Sequence, residues 1–163
     1  MPITESWEIT GKGPIGSRWI DINKGDDDKP EYRSRLVAKE INRSPSAEMF
    51  AATPPLEAKK MIFSMAVTDF AQNRAIKSKG IQQLLFIDVK RAYFYAPARR
   101  PVYVTLPDED AKSGHCARLN VSVYGTRDAA SNWEDKYASH LIRCGFDQGK
   151  SSPCVFFHKT KKI

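Results

Sequence analysis

The chain has 163 residues, of which 41% are hydrophobic, so it is not a disordered tail; we predict one domain or two small lobes around a packed core. Lysine and arginine number 26 against 19 acidic residues, and the net charge of +7 favours a polyanionic partner, most simply nucleic acid. No segment has the length and apolarity of a transmembrane helix, and the start lacks the pattern of a signal peptide. We therefore predict a cytoplasmic or nuclear protein that is not secreted and has no membrane partner.

The first quarter of the chain predicts a β-hairpin that follows a weakly patterned lead-in at residues 1–16. Residues 17–23 and 31–40 predict its two strands, joined by a polar turn. Alternation puts three cations on one face of the second strand: Arg33, Arg35 and Lys39. This basic stripe fits contact with nucleic acid, and it equally fits a charged strand edge that resists aggregation.

A helix is predicted from Thr53 to about Gln72, with Thr53 as its N-cap and Pro54 at its first position. The apolar face of this helix, which includes Ile62 and Met65, is expected to pack in the core. A basic loop follows and carries three candidate nucleic-acid-binding residues: Arg74, Lys77 and Lys79.

The stretch at residues 84–94 holds the most informative local pattern. Four apolar residues at 84–87 predict a strand that is buried on both faces, and Asp88 comes where that strand should end. Two cations and the aromatic residues Tyr93 and Phe94 follow. An aspartate in this setting can hold a metal ion beside a polyphosphate. A second interpretation makes Asp88 the cap of the next helical turn.

The second half of the chain predicts three short strands, at residues 102–106, 116–123 and 154–157. A long helix begins near Asp128 and stops at Gly145. Five residues form its apolar stripe: Ala129, Trp133, Tyr137, Leu141 and Cys144. An antiparallel sheet with packed helices gives an α+β fold class.

Several other chemistries are disfavoured by the pattern of the chain. It contains no Gly-rich phosphate loop and no Gly-x-Ser-x-Gly nucleophile elbow. The acidic triplet at residues 26–28 fits a solvated turn better than a metal site. The spacing of five further residues is not that of a zinc site: His115, Cys116, Cys144, Cys154 and His158. The cysteines are expected to be free, buried thiols.

Ordered motifs along the chain carry a resemblance to a known family. Residues 17–20 hold its opening Trp, and residues 31–39 are similar to its run Tyr-Lys-Ala-Arg-Leu-Val-Ala-Lys. Residues 87–93 are similar to Leu-Asp-Val-Lys-Thr-Ala-Phe, its first catalytic motif. Residues 102–107 match Ile-Tyr-Met-x-x-Pro, and residues 122–133 are similar to Ser-Leu-Tyr-Gly-Leu-Lys-Gln-Ala-Pro-Arg-Gln-Trp. From about Gly16 onward the chain resembles the reverse transcriptase domain of copia-type long-terminal-repeat retrotransposon Pol polyproteins.

This resemblance implies a right-hand polymerase fold, with a fingers-like portion at residues 17–83 and a partial palm at residues 84–163. It implies an RNA-directed DNA polymerase that takes an RNA template, a DNA primer and deoxynucleoside triphosphates, with Mg²⁺ or Mn²⁺ as cofactor. Asp88 would be the first catalytic, metal-binding aspartate, and the backbone carbonyl of Val89 would be a further ligand. Tyr93 would lie under the incoming sugar and exclude a 2′-hydroxyl. The other implied nucleotide contacts are Arg33, Arg35, Lys39, Tyr124, Gly125 and Arg127.

Two departures from the family pattern bear on activity. Two-metal nucleotidyl transfer requires a second carboxylate cluster, which the family supplies as an aromatic-x-Asp-Asp turn. The sequence ends at Ile163, before such a turn. The family's Gln-Ala-Pro is Asp128-Ala129-Ala130 here, which is expected to put a negative charge near the nucleotide. We therefore predict that this chain alone does not polymerise, and that the rest of a Pol polyprotein is its partner if a longer product is made.

Two alternatives to the polymerase interpretation remain. The first is a non-enzymatic nucleic-acid-binding remnant that uses the basic stripe and the basic loop. The second is a packed relic without activity, whose incomplete sheet would leave an exposed strand edge.

Overall fold

The computed structural model of the chain describes residues 1–41, 51–67 and 84–161. Its helices and strands, in chain order, are α1 Ile3–Thr10, β1 Ser17–Asn23, β2 Tyr32–Ala38, α2 Leu56–Val67, β3 Tyr103–Val104, β4 Ala117–Arg118, α3 Ala129–Arg143, β5 Asp147–Gln148 and β6 Phe156–Phe157. This mixture of helices and small antiparallel sheets confirms the α+β class. None of the helices in the described ranges is long and apolar enough to cross a membrane.

The chain divides into two compact units. The first contains Met1–Ala51 and Arg91–Tyr137, and the second contains Ala52–Lys90 and Ala138–Ile163. The assignment of fingers and palm to the ranges 17–83 and 84–163 stays a prediction.

The predicted hairpin is confirmed in the first unit. β1 and β2 pair antiparallel from Ser17 opposite Ala38 to Asn23 opposite Tyr32. The polar turn between them is closed by the side-chain oxygen of Asn23, which accepts from the backbone N–H of Gly25 at 3.0 Å and of Glu31 at 2.8 Å. A side chain that takes over backbone hydrogen bonds is the usual reason for Asn in turns.

The core of the first unit is built around the end of β2. Ala38, Val102 and Val104 are buried together, and Ile15, Ala117 and Leu119 pack against them. The segment before β1 joins this core through its backbone, because Ile15 donates to the carbonyl of Tyr103 at 2.7 Å and accepts from Thr105 at 2.8 Å. A basic strand therefore ends inside an apolar cluster.

The weakly patterned lead-in at residues 1–16 contains a helix that was not predicted, α1. The backbone N–H of Ile3 donates to the carbonyl of Gly114 at 2.9 Å, and that of Cys116 donates to Met1 at 2.8 Å. The hydroxyl of Tyr103 donates to Glu5 at 2.8 Å. The residue of α1 that is buried is Ser6, whereas Trp7 is exposed, so the helix has no apolar stripe that a sequence pattern could reveal.

The three short strands predicted in the second half are present, each as a shorter segment. β3 pairs with β4 in the first unit, and β6 pairs with β5 in the second unit. β5 was not predicted, because two exposed polar residues carry no alternation.

The long helix α3 is confirmed, and it stops where Gly145 adopts a left-handed φ of 91°. Ala129 is buried, and the rings of Trp133 and Tyr137 lie 5.8 Å apart. The expectation that the cysteines are buried holds for Cys116 alone, since Cys144 is exposed and Cys154 is partly buried. The predicted apolar stripe of the helix does not extend to Cys144, because this residue lies beyond the last residue of α3.

The helix predicted from Thr53 is present as α2, but it begins at Leu56, where the carbonyl of Pro55 accepts from Lys59 at 3.3 Å. Thr53 is therefore not its N-cap, and its predicted end at Gln72 lies outside the described residues. The expectation that its apolar face is core is wrong, because both Ile62 and Met65 are exposed. Amphipathic spacing predicts that an apolar face is buried only where another element packs on it, and Ile62 and Met65 stay exposed among the residues that the structure describes.

The strand predicted at residues 84–87 is absent. These residues have no ladder partner among the described residues, and Leu85, Phe86 and Ile87 are 81%, 76% and 76% exposed. The ring of Phe86 lies 6.2 Å from that of Phe63 in the same unit. The prediction failed because an apolar run becomes a buried strand only where neighbouring strands pair with it.

A backbone junction fixes β2 against the segment that precedes α3. Ala38 donates to the carbonyl of Tyr124 at 2.8 Å, and Glu40 donates to that of Gly125 at 3.2 Å. Gly125 has a φ of 87°, and a Cβ built on it would lie 1.9 Å from the carbonyl oxygen of Ala38. The junction therefore requires glycine for two reasons, its left-handed backbone and the close approach of another backbone.

We predict that Gly125→Ala lowers the free energy of unfolding by about 3 kcal/mol or more, because left-handed strain and overpacking both apply. Urea unfolding measures the change. Gly114→Ala is the matched control, since Gly114 has a φ of 72° with nothing within 4 Å of the added Cβ. Gly114→Ala should lower the free energy of unfolding only by the cost of the left-handed backbone, about 1–2 kcal/mol. Equal losses in the two variants would contradict the tight junction.

Tyr103 gives the folded protein a pH dependence. Burial, and then the hydrogen bond and charge of Glu5, raise the pKa of Tyr103 above its usual value. A group whose folded pKa is raised contributes stability below its unfolded pKa, about 10 for tyrosine, and loses it as the pH rises through the folded pKa. We predict that Tyr103→Phe reduces the loss of stability above about pH 10, measured by urea unfolding at several pH values. Removal of the exposed Tyr95 hydroxyl by Tyr95→Phe should leave that loss unchanged.

Candidate functional site

The basic stripe of β2 lies on an exposed surface of the first unit. Arg33, Arg35 and Lys39 are all exposed, and Arg33 forms an ion pair with Glu31 at 2.7 Å. The hairpin register adds a cation that the sequence analysis missed, because Arg18 is paired with Val37 and residues opposite each other share a face. Cross-strand register was the signal that could have found Arg18.

An aromatic cluster lies in the same unit. The rings of Tyr93 and Tyr124 are 4.6 Å apart and tilted by 41°, and Phe94 meets Tyr124 edge-on at 5.9 Å. Tyr93 and Phe94 belong to a 3-10 helix, Ala92–Tyr95, that follows a left-handed Arg91. Two of the implied nucleotide contacts, 31 positions apart in the sequence, are thus packed ring against ring.

The junction at Gly125 links this aromatic cluster to the basic stripe. Tyr124 and Gly125 accept hydrogen bonds from the backbone at the end of β2, as described above, and Lys39 donates to the carbonyl of Gly16 at 2.7 Å. The backbone N–H of Arg127 donates to a carboxylate oxygen of Glu40 at 2.8 Å. The structure therefore brings together Lys39, Tyr93, Tyr124, Gly125 and Arg127.

A charge triad, which we define as Glu40, Arg100 and Asp128, lies at this junction. The Nη2 atom of Arg100 donates to Glu40 Oε2 at 2.6 Å and to Asp128 Oδ1 at 2.9 Å. The side chains are 15%, 30% and 9% exposed for Glu40, Arg100 and Asp128. Burial alone would lower the pKa of Arg100, but the hydrogen bonds and charges of the two carboxylates outweigh it, and the pKa of Arg100 is raised.

The second oxygen of Asp128 is also bonded. Oδ2 accepts from the side-chain amide of Asn132 at 3.1 Å, and that amide also donates to the hydroxyl of Ser122 at 2.9 Å. The guanidinium of Arg99 bonds Asn132, Ser131 and Asp135 along α3. The charge that the family pattern lacks at position 128 is thus bonded to protein groups at both oxygens.

Asp88 and Val89 belong to the second unit, and both are exposed. The 3-10 helix that follows has no side-chain cap, so the interpretation of Asp88 as a cap is wrong. No group of three or more histidine, cysteine, aspartate or glutamate side chains that could hold a metal ion occurs in the ranges the structure describes. Arg74, Lys77 and Lys79 lie outside those ranges.

Sequence reasoning missed Glu40 and Arg100 as members of this site. They are 60 positions apart, and Arg100 is 28 positions from Asp128, so no local spacing connects them. The one available signal was Asp128 itself, because an acidic residue where the family has a neutral one requires a cation as partner once it is buried.

Comparisons with known proteins agree with this arrangement of motifs. A family model described as reverse transcriptase (RNA-dependent DNA polymerase) matches residues 7–162. Over 157 residues the chain is 27% identical to a retrovirus-related Pol polyprotein from transposon TNT 1-94 of Nicotiana tabacum, covering 91% of this chain and 11% of that protein. Over 71 residues it is 31% identical to a truncated transposon Ty1-A Gag-Pol polyprotein of Saccharomyces cerevisiae, covering 43% of this chain and 6% of that protein.

No solved structure matches the chain. The chain spans only 11% and 6% of the length of these two relatives. Because the family model covers nearly all of its residues, the chain belongs to the reverse transcriptase (RNA-dependent DNA polymerase) family and is a reverse transcriptase domain of a retrotransposon.

Proposed function

We propose that this chain is the fingers and part of the palm of an RNA-directed DNA polymerase, and that its first unit holds the template, the primer and the incoming nucleotide. The observation that carries the proposal is the backbone junction that fixes the end of β2, at Lys39 of the basic stripe, beside Tyr124 and Gly125. Nucleotide recognition needs cations for phosphates and aromatic faces for bases or sugars, and the first unit holds both.

The cations of the hairpin would bind phosphate groups. Arg33, Arg35 and Lys39 are exposed on one face, together with Arg18 from β1. Guanidinium groups suit this role because they donate two parallel hydrogen bonds to phosphate oxygens. We include Arg74, Lys77 and Lys79 in the proposal as contacts to the nucleic acid, on the strength of their charge in the sequence.

The aromatic cluster would contact the nucleotide itself. Tyr93 would lie under the sugar and exclude a 2′-hydroxyl by its bulk, with Tyr124 packed on its ring at 4.6 Å to hold its orientation. Gly125 and Arg127 would lie by the nascent base pair. A ring that is locked by a neighbour discriminates by shape better than a freely rotating one does.

Mg²⁺ or Mn²⁺ would be the cofactor, since the family uses divalent metal ions. In two-metal nucleotidyl transfer the ions activate the attacking hydroxyl and stabilise the leaving group. Asp88 and the carbonyl of Val89 would supply one face of such a site. The residues described here do not make a two-metal centre on their own, because they hold no group of three ligating side chains. We propose that the remaining ligands come from the rest of a Pol polyprotein where a longer product is made.

Nucleic-acid binding without catalysis is the second candidate. It is favoured by the exposed cations of the hairpin, which need no metal ion to bind phosphates. The two candidates differ in catalysis, because a polymerase needs Asp88 for primer extension, whereas nucleic-acid binding alone does not depend on it.

We predict that the chain binds an RNA–DNA hybrid. The triple variant Arg33→Gln, Arg35→Gln, Lys39→Gln should lower the slope of log Kd against log salt concentration by about 2–3, because each cation removed from a phosphate lowers that slope by roughly one. Fluorescence anisotropy of a labelled hybrid, measured between low and moderate salt, gives the slope.

The matched control for this experiment removes the same charge elsewhere on the first unit. Lys12, Lys112 and Lys136 are exposed, and none of them belongs to the hairpin. Their triple change to glutamine should leave most of the slope intact. An equal loss in both triple variants would mean that net charge alone governs binding, and the proposed surface would be refuted.

We predict that the chain alone does not extend a primer on an RNA template in the presence of Mg²⁺, and that Asp88→Asn leaves hybrid binding unchanged. Primer extension followed on a denaturing gel and anisotropy of the same samples make the two measurements. Extension that Asp88→Asn abolishes would show that a complete catalytic centre is present and would overturn this prediction. Loss of binding in Asp88→Asn would instead place Asp88 at the nucleic acid.

A further inference from the structure

The charge triad connects three segments that lie far apart in the sequence. Glu40 follows β2, Arg100 precedes β3, and Asp128 precedes α3. One nitrogen atom, Nη2 of Arg100, contacts both carboxylates, at 2.6 Å and 2.9 Å. A single cation thus holds the end of the basic strand and the start of the helix at one point.

Glu40 is hydrogen-bonded to the segment around Gly125 through both its backbone and its side chain. Its backbone N–H donates to the carbonyl of Gly125 at 3.2 Å, and its side chain accepts from the backbone N–H of Arg127 at 2.8 Å. The position of Glu40 therefore sets the distance between β2 and three of the proposed nucleotide contacts: Tyr124, Gly125 and Arg127.

Electrostatics makes Arg100 essential to this arrangement. Two carboxylates that share a partly buried site repel each other, and each is costly to desolvate without a cation. Without the guanidinium, Glu40 and Asp128 would move apart or toward solvent, and the bond from Arg127 to Glu40 would be strained.

From this geometry we propose that Arg100 is a positioning residue, which holds Glu40 and Asp128 together and so keeps the basic stripe in register with the Tyr124–Arg127 segment. This inference rests on the proposed nucleotide-contacting role of the first unit. It also gives Asp128 a partner within the chain, because its carboxylate accepts from Arg100.

The first test measures the structure without any ligand. Amide hydrogen exchange by NMR reports on the N–H groups of Ala38 and Arg127, which are bonded to Tyr124 and Glu40. Arg100→Gln should speed exchange at both amides by about tenfold, the effect of losing a hydrogen bond to a charged group. Arg100→Lys should restore slow exchange, because one ammonium nitrogen can occupy the position of Nη2. Unchanged exchange in Arg100→Gln would overturn the proposal.

The second test uses Glu40→Gln, which also serves if Arg100→Gln does not fold. Removal of a negative charge tightens the binding of a polyanion if charge alone matters. Positioning predicts the opposite: binding of the RNA–DNA hybrid should be weakened by about threefold to tenfold, on the scale of one lost hydrogen bond. Tighter binding would refute a positioning role in recognition.

The two tests separate this inference from the proposed function. If the unaltered chain shows no affinity for the hybrid while exchange at Ala38 and Arg127 responds to Arg100 as predicted, the proposed function fails and the positioning of the segment stands. If binding is present but neither Arg100 variant changes exchange, the positioning inference fails alone.

Discussion

The close approach of two backbones at Ala38 and Gly125 is the constraint on which the first unit depends. Ala38 belongs to the apolar core, and its N–H donates to Tyr124, so one residue joins the core, the end of β2 and the segment before α3. Any side chain at Gly125 would enter the space of the Ala38 carbonyl. The Lys39 end of the basic stripe lies beside the segment that carries Tyr124, because a residue without a side chain lets the two segments meet.

The charge triad follows from the same meeting of segments. Where β2 ends, the chain leaves the apolar core, and Glu40 and Asp128 are brought to one partly buried place. A neutral glutamine, which the family pattern has at position 128, would need no cation there. Aspartate does, and Arg100 supplies it from a third segment. The departure from the family pattern at Asp128 is thus matched by a cation in contact with it, so this position is part of a packed, hydrogen-bonded network.

The sequence predicts those parts of the fold and the site that depend on residues close together in the chain, and misses those that depend on distant ones. The β1–β2 hairpin and α3 were predicted correctly, because alternation, turn residues and a helical stripe are local signals. α1 was missed because it buries Ser6 and exposes Trp7, which inverts the expected pattern. For the site, the motifs indicated Tyr93 and Tyr124 but not Glu40 or Arg100, since the triad is made by contacts between positions 28 and 60 apart. Burial and ion pairing depend on the tertiary contacts of the whole unit, and no sequence window contains them.

The apolar run at residues 84–87 bears directly on the proposal that Asp88 is a metal ligand. A carboxylate coordinates a cation well when its backbone is fixed, and a paired strand is the usual means of fixing it. In the part of the chain that the structure describes, the run has no ladder partner, and Leu85, Phe86 and Ile87 are exposed. The same unpaired backbone leads directly into Asp88, so whatever pairs with the run would also fix the carboxylate. For the metal-ligand role proposed for Asp88, the cover of this apolar segment and the orientation of the carboxylate are therefore one requirement, because any strand paired with residues 84–87 would provide both.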